Sequence, residues 1–497
     1  MHFIIKLFPE IIVKSPAVRQ RMTRKLRANI RRVLHASKDE RLIGQLELTY
    51  DWEKIELKIA NDDHQVRELV VERLSNTPGI VKFSEVLSLP FESLEQAAEV
   101  ARVKTGKKLT GKTFCVRVKR HGNHDFKSTD AERSIGSHLM SNTAAAGVDL
   151  KNPDVNVELE IKHDRLFFVG ESWRGIGGYP MGEQDAVLSM ISGGFDSSVA
   201  SYMTMKRGLL THFLFFNLGG RAHELGVKQA AHLLWKKYSS SHDVTFLTVP
   251  FEGVVAEILE NIPRSYMGVA LKRMMYRAAE IMAKQYKVSA LVTGESVAQV
   301  SSQTLENLRV IETVVDSLVL RPLITENKEE IIATSREIGT FDLSVSMPEY
   351  CGVISSHPTT RAKKHIIEDA EKSFDFKVLE DAIANHQCEK VSEVLSSAHE
   401  IPVDVYTTPK PGAKIVDVRH PDEISEKPLA VHGEDITEIP YFRLNKEFTQ
   451  MDPKVTHLLY CDKGVMSRLH AEMLIDSGFN NVGVYSPDGQ SLSRKAS

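Results

Sequence analysis

Apolar residues recur at steps of three and four between Pro16 and Ala36, where Val18, Met22, Leu26, Ile30 and Val33 form one stripe. That period predicts an amphipathic helix with its arginines on the other faces. Phe3 to Phe8 reads as a short strand before it, Leu46 to Ile59 as strand material broken by a turn, and Gln65 to Ser75 as a second helix. Strand, helix, strand, helix within 1–75 predicts a small α+β sandwich.

A second unit follows over 76–172. Its clearest strand is Thr113 to Lys119, where Phe114, Val116 and Val118 alternate with Cys115, Arg117 and Lys119. Period two turns the first set inward and leaves the second as a positively charged outer face. Gly175-Ile-Gly-Gly-Tyr-Pro-Met-Gly182 then reads as a glycine-rich hinge. Over 173–395 the pattern becomes strand–helix alternation. Strands are expected at 186–191, 211–217, 244–249 and 290–293, with helices from Ser197, over 221–238, near Val254 and over 271–286. This predicts a doubly wound parallel α/β sheet. Pro402, Pro409 and Pro411 mark a linker within 396–412, and a small α/β domain over 413–497 completes a multidomain α/β and α+β chain.

Composition refines this picture. Apolar residues make up 42% and charged residues 26% of the 497, ordinary for globular protein of three or four domains. The opening residues lack a signal peptide's apolar stretch, and no uncharged run approaches the ~20 residues that span a bilayer. The expectation is a cytoplasmic protein without a membrane partner. Net charge is only -3, but Lys14, Arg19, Arg21, Arg24, Lys25, Arg27, Arg31 and Arg32 stand together with no acidic residue among them. A second basic stretch runs from Arg102 to Arg120. One such element is as readily a solvated face; two in the N-terminal third favour a bound nucleic acid. Few aromatics accompany them, so contact through phosphates and shape is expected, with Arg117, Lys119 and Arg120 as candidates. Cys115, Cys351, Cys388 and Cys461 form no Cys-x-x-Cys pair. That weighs against structural zinc, an iron–sulfur cluster or any fixed metal site, and leaves one or two reactive thiols.

The sharpest local motif is Ser192-Gly-Gly-Phe-Asp-Ser197, after a buried strand and opening a helix. Gly193 and Gly194 let backbone N–H groups approach an anion, the Ser192 and Ser197 hydroxyls add donors, and the helix N-terminus adds partial positive charge. Asp196 beside an anion is costly unless a cation such as Mg²⁺ accompanies the phosphates. Gly-Lys-Ser/Thr is missing, so this is not a Walker A loop; it resembles the pyrophosphate loop of enzymes that cleave ATP between its α and β phosphates. Three further positions are weaker. Lys272, read as opening an amphipathic helix, reaches phosphates or is simply solvated. Gly294 lets backbone approach a nucleotide, and Gln303 bonds the nucleotide or caps a helix.

Near the C-terminal end, Ile415-Val-Asp-Val-Arg419 precedes strand His457–Tyr460, the loop Cys461-Asp-Lys-Gly-Val-Met-Ser467 and a helix to about Ser477. A cysteine there faces loop N–H groups and a helix N-terminus, which favour a thiolate able to carry sulfane sulfur as a persulfide. Asp462 and Lys463 roughly cancel, leaving that task to backbone dipoles. The loop resembles the active loop of rhodaneses; a buried, inert Cys461 is the alternative.

Taken in order, these parts resemble the tRNA 4-thiouridine synthetases (the ThiI family) in the long form with a rhodanese domain. The resemblance rests on Ile4-Ile-Lys-Leu-Phe-Pro-Glu10, Phe114-Cys-Val-Arg-Val-Lys-Arg120, Ser192–Ser197, Met347-Pro-Glu-Tyr-Cys-Gly-Val-Ile-Ser355 and Tyr460-Cys-Asp-Lys-Gly-Val-Met-Ser-Arg468. It implies a ferredoxin-like domain, a THUMP domain that helps grip tRNA, an ATP pyrophosphatase domain and a rhodanese domain. ATP contacts are implied at Met190, Ile191, Ser192, Gly193, Gly194, Ser197, Lys272, Gly294 and Gln303, with Asp196 catalytic and Mg²⁺ accompanying ATP. The implied activity is sulfuration of uridine 8 of tRNA through an adenylated base. Cys461 would carry a persulfide loaded by a cysteine desulfurase, and Cys351 would be its disulfide partner, reset by a cellular thiol reductant. Sulfur transfer to an adenylated sulfur-carrier protein for thiamine synthesis is implied as a second branch, and a homodimer stays open. The residues also fit a plain rhodanese-type sulfurtransferase on an RNA-binding scaffold.

Overall fold

The computed structural model describes residues 1–36, 39, 41–42, 44–51, 54–218, 220–346, 358–396, 403–419, 424, 427–429, 431, 436–440, 444, 447–462 and 465–487. Two compact units divide the chain, the first made of 1–184 with 205–209 and 237–242.

The first unit is built on eight strands: β1 His2–Leu7, β2 Leu46–Tyr50, β3 Lys54–Ile59, β4 Ile80–Pro90, β5 Thr113–His121, β6 Gly147–Val148, β7 Val155–Lys162 and β8 Arg165–Arg174. They form one sheet in the order β2-β3-β1-β4-β8-β7-β5-β6. β4 is long enough to pair with β1 near its start and with β8 over nearly its whole length, so it is shared by two layered halves. Helices Pro16–Ala36 and His64–Ser75 bury Met22, Leu26, Ile30, Val66 and Val70 against Phe3, Ile5, Leu57 and Phe83. The second helix starts where Asp63 accepts hydrogen bonds from the Gln65 and Val66 N–H groups, satisfying two of its unpaired donors. Helices Leu94–Thr105 and Ser128–Asn142 bury Ala97, Ala101, Ile135 and Leu139 against Phe114, Val116, Leu159 and Phe168.

Two expectations change here. Cys115 is fully buried instead of standing on the outer face of β5. The stretch Gly175–Gly182 is a packed crossing, not a hinge. A Cβ on Gly175 would meet Ile80 O at 2.3 Å, and one on Gly178 would meet Lys206 O at 1.7 Å. Arg21, Lys25 and Asn29 of the first helix hold the same stretch through Glu183, Gly182 O and Met181 O. Glycine is required there because backbones touch.

The second unit holds a six-stranded sheet: β9 Ala186–Met190, β10 Leu210–Asn217, β11 Thr245–Pro250, β12 Ala290–Val292, β13 Leu318–Leu320 and β14 Gln387–Lys390. The order is β13-β12-β9-β10-β11-β14, parallel except for β14, which runs antiparallel at one edge. Helix Met267–Gln285 is the centre of its core, with Ala270, Met274, Ala278 and Met282 fully buried. It begins one turn before Leu271, so Lys272 lies in its second turn and does not open it.

The third sheet comprises β15 Val405–Tyr406, β16 Lys414–Asp417, β17 Ile436–Glu438, β18 His457–Tyr460 and β19 Val482–Tyr485. Its order is β15-β19-β18-β16-β17, all parallel, with helix Val465–Asp476 following β18. No helix among the described residues is long and apolar enough to cross a membrane.

Candidate nucleotide, sulfur and RNA sites

The turn after β9 closes on itself. Gly193 takes φ +80, a conformation that favours glycine. The Ser197 hydroxyl is buried, lies 3.1 Å from the Ser192 hydroxyl, accepts from the Ser192 N–H and donates to Gly194 O. Ser197 therefore shapes the loop, and Ser192 is its exposed hydroxyl. Met190 and Ile191 lead into it, the latter buried with its N–H on Leu214 O.

Gly294 has a packing reason to be glycine. A Cβ there would meet the Asp196 carbonyl carbon at 2.5 Å and Ser197 N at 2.6 Å. Only glycine lets the β12 loop lie directly on the start of helix Phe195–Lys206.

The next residue was overlooked in the sequence. Glu295 is buried and meets Lys272 Nζ at 2.9 Å, the Tyr276 hydroxyl at 2.7 Å, and Arg321 Nε at 2.9 Å. Lys272 and Tyr276 stand one helical turn apart, so both side chains reach it. Burial alone would raise the Glu295 pKa, but the Lys272 charge, the Tyr276 hydroxyl and Arg321 outweigh it and hold the value at about 2. Lys272 is thus anchored by an ionised carboxylate and is no loose surface lysine.

Asp196 carries two partners that no local motif announced. Lys328 Nζ contacts both its oxygens, and Gln299 Nε2 donates to Oδ2 at 2.7 Å. The cation beside Asp196 is therefore supplied by the protein itself. Gln303 is buried; its Oε1 accepts from the Ser296 N–H at 3.4 Å, and its backbone carbonyl accepts from Ala298. It closes the 296–303 loop, while the cap of helix Leu305–Glu312 is the Thr304 hydroxyl. Asn307, fully buried, donates to Ser301 O and Thr359 O and accepts from the Ala362 N–H. Ser344 donates to Gly193 O at 2.8 Å. These bonds tie the chain on both sides of 347–357 to the nucleotide loop and its neighbour. Cys351 itself lies outside the described residues, as do Lys463 and Gly464 of the sulfur loop.

Cys461 directly follows β18 and is buried, at 8% exposure. The Ser467 N–H donates to its sulfur at 3.3 Å, and the Ser467 hydroxyl lies 3.4 Å away. Arg419 does not serve the thiol: it pairs with Asp417 at 2.6 Å and with Asp462 at 3.1 Å, and the Tyr460 hydroxyl donates to Asp462. Arg419 and the Tyr460 hydroxyl thus hold the Asp462 carboxylate, and the donors on the sulfur itself are the Ser467 N–H and hydroxyl. Cys388 is exposed on edge strand β14.

On β5, Arg117 and Lys119 are exposed but stand in register with Glu158 and Glu160 of β7. Arg117 also donates to Leu150 O, and Arg120 to Gly122 O. The positive face is therefore partly offset, a pairing hidden from a reading of one strand. Lys104, Lys107 and Lys112 are exposed nearby in sequence and add to it. Among the described residues no group of three or more His, Cys, Asp or Glu side chains could hold a metal ion.

The profile of the thiamine biosynthesis protein (ThiI) matches residues 182–376, that of the THUMP domain 91–169, and that of the rhodanese-like domain 406–488. Curated tRNA sulfurtransferases from Saccharophagus degradans and Pseudomonas putida are each 48% identical over 98% of this chain and 100% of their own length. One from Histophilus somni is 47% identical over 97% of this chain and 99% of its own. Among solved structures, a 4-thiouridine synthetase–RNA complex with bound ATP superposes with TM-score 0.68 at 25% identity, covering 78% of this chain and 99% of that one. A Pyrococcus horikoshii protein shares the fold, with TM-score 0.52 at 19% identity over 68% of this chain and 100% of its own. With near-half identity from end to end and a nucleotide loop, THUMP domain and rhodanese loop in the same order, the chain belongs to the tRNA sulfurtransferase (ThiI) family.

Proposed function

We propose that the protein uses ATP to replace the 4-oxygen of uridine 8 in tRNA by sulfur. The single observation that carries this reading is the joining of a pyrophosphate-type loop, with Asp196 paired to Lys328, to a second loop that aims an N–H and a hydroxyl at Cys461. The first supports adenylyl transfer and the second supports a persulfide; either alone would support only half of the reaction.

The uracil 4-oxygen is a poor leaving group. It attacks the α-phosphorus of ATP, pyrophosphate departs, and the N3 proton passes to solvent, leaving an O4-adenylated base. Donors at Ser192–Ser197 and the Lys328 ammonium stabilise negative charge during that transfer. Mg²⁺ would be held chiefly by the ATP phosphates and supply further charge neutralisation, with Asp196 its one carboxylate partner if Lys328 gives up an oxygen. Lys272, anchored by Glu295, would meet phosphate oxygens.

Cys461, loaded with sulfane sulfur by a cysteine desulfurase, delivers it to the ring carbon as AMP leaves. If its terminal sulfur attacks, Cys351 then displaces the thiolated base from the Cys461 sulfur. If Cys351 first displaces sulfide, that sulfide attacks. Both orders end in a Cys351–Cys461 disulfide, which two electrons from cellular thiols reopen. The same persulfide would serve an adenylated sulfur-carrier protein in thiamine synthesis. Residues 1–172, with Arg117, Lys119 and Arg120 joined by Lys104, Lys107 and Lys112, would hold tRNA through phosphates. Pyrophosphate release that depends on tRNA tests the reading; sulfur transfer with no ATP use would favour a plain rhodanese-type enzyme.

A further inference from the structure

The loop between β12 and helix Leu305–Glu312 holds a side chain that the adenylation steps above leave unused. Gln299 is half-buried, and its Nε2 donates to Asp196 Oδ2 at 2.7 Å. A glutamine amide has two hydrogens on nitrogen and an acceptor oxygen, and either end can face a partner. An ionised carboxylate only accepts, so Asp196 decides the matter: nitrogen faces it and oxygen is directed elsewhere. Gln299 Oε1 has no hydrogen-bond partner among the described residues.

The backbone under this amide is held in place. Ala298 sits at φ +63, and its N–H bonds Gln303 O at 3.0 Å, while the Val297 N–H bonds Ile324 O at 3.1 Å. A residue other than glycine stays in that region only where its surroundings over-determine it. Flanking Gln299 in sequence, Val297 and Val300 are 37% and 48% exposed, and Leu305 is 69% exposed. An oriented amide with exposed apolar residues close to it in sequence suits a flat ring with a polar edge, which is the shape of an unstacked nucleobase.

We infer that Gln299 reads the edge of the target base. Its Oε1 accepts from the N3–H of uracil, its second Nε2 hydrogen donates to the 4-oxygen, and Val297 and Val300 meet the face of the ring. The inference rests on the adenylation reading above and adds the residue that selects the base. Cytosine presents an acceptor at N3 and a donor at position 4, so both contacts are reversed against an amide locked in this direction. The same contact sets the 4-oxygen at the nitrogen end of the amide, on the side of Asp196 and the nucleotide loop.

The test uses the full-length enzyme, a non-hydrolysable ATP analogue and three versions of one tRNA with uridine, N3-methyluridine or cytidine at the target position. tRNA affinity is measured for the native protein and Gln299→Leu, with melting temperature and persulfide formation on Cys461 as checks of folding. Gln299→Met replaces the leucine variant if those checks fail. The native enzyme is expected to bind the methylated or cytidine tRNA roughly 10- to 100-fold more weakly than the uridine tRNA. The variant should lose a similar factor on the uridine tRNA and bring the ratios close to one. If the variant keeps the native ratios, Gln299 merely steadies Asp196 and the inference is overturned. If the native enzyme with Mg-ATP releases no pyrophosphate on the uridine tRNA, the adenylation reading falls and this inference falls with it.

Discussion

Lys328 Nζ lies 2.8 Å from Asp196 Oδ1 and 3.0 Å from Oδ2, joining the first residue of one helix to the second residue of another. A carboxylate near a helix start is favoured by the dipole, but a cation there is opposed by it. Lys328 stands at that unfavourable place and is 41% exposed, so the pair contributes less than ~1 kcal/mol to stability. Its position is better explained by chemistry at the nucleotide loop. Asp196→Ala and Lys328→Met are each expected to lower tRNA-dependent pyrophosphate release on the order of 100-fold. Both should leave persulfide formation on Cys461 and the melting temperature nearly unchanged. Unaltered thiolation in Asp196→Ala would remove the loop from the reaction.

What could be read in the sequence was what is contiguous. The stripe from Val18 to Val33 placed the helix Pro16–Ala36, and strand His457–Tyr460 was found with its own bounds. Ser192–Ser197 and Cys461 announced themselves as unbroken motifs. The partners of those motifs did not, because they come from far along the chain: Lys328 is 132 residues from Asp196, and Gln299 is 103. One signal for Lys328 was present, a lysine directly after Asn327 in a capping box closed by Glu330, where the dipole argues against a cation. β14 escaped because Gln387-Cys-Glu-Lys390 has no apolar run to mark a strand, and β13 is the isolated three-residue run Leu318-Val-Leu320. At Gly294 the sequence did not show that the glycine is also required by backbone packing on the start of helix Phe195–Lys206.

Glu295 gives a prediction in stability and pH. Its pKa falls from 4.5 to about 2 on folding, so its contribution is complete above pH ~4.5 and disappears as pH drops toward 2. Glu295→Gln leaves Lys272 and Arg321 without their buried counter-ion and should destabilise by roughly 3 kcal/mol. Denaturant melts across pH should show the native protein losing this increment between pH ~4.5 and 2 and the variant lacking that dependence. The KM for ATP should rise in the variant as Lys272 is released, with tRNA affinity unchanged.

The donors on Cys461 predict a reactive sulfur. Ser467→Ala removes one of the two groups facing it, so alkylation of Cys461 near neutral pH should slow several-fold. Retained alkylation rates over the full pH range would show that the hydroxyl is idle.

Three cysteine variants separate loading from delivery. Cys461→Ala should abolish both persulfide formation and thiolation. Cys351→Ala should keep the first and lose the second. Cys388→Ala, at an exposed strand edge, should behave as the native protein. Peptide mapping after one turnover without reductant should find Cys351 bonded to Cys461; both thiols free, with Cys351→Ala fully active, would refute the disulfide step.

Binding of tRNA by the N-terminal unit should weaken with salt by roughly 0.7 to 0.9 log unit per log unit for each phosphate contacted. Joint replacement of Arg117, Lys119 and Arg120 should reduce both affinity and slope. Replacing Lys104, Lys107 and Lys112 should reduce them as well, because all three are exposed. Affinity independent of salt would contradict binding through phosphates.

The central claim is a sulfur-for-oxygen exchange on tRNA driven by ATP and carried by Cys461. Its most direct measurement is mass spectrometry of nucleosides digested from tRNA after incubation with the enzyme, Mg-ATP, a cysteine desulfurase and cysteine. The account predicts 4-thiouridine at position 8, absent when ATP is omitted and absent with Cys461→Ala or Asp196→Ala. Thiolated uridine formed without ATP or without Cys461, or tRNA recovered unmodified by the complete native mixture, would contradict it.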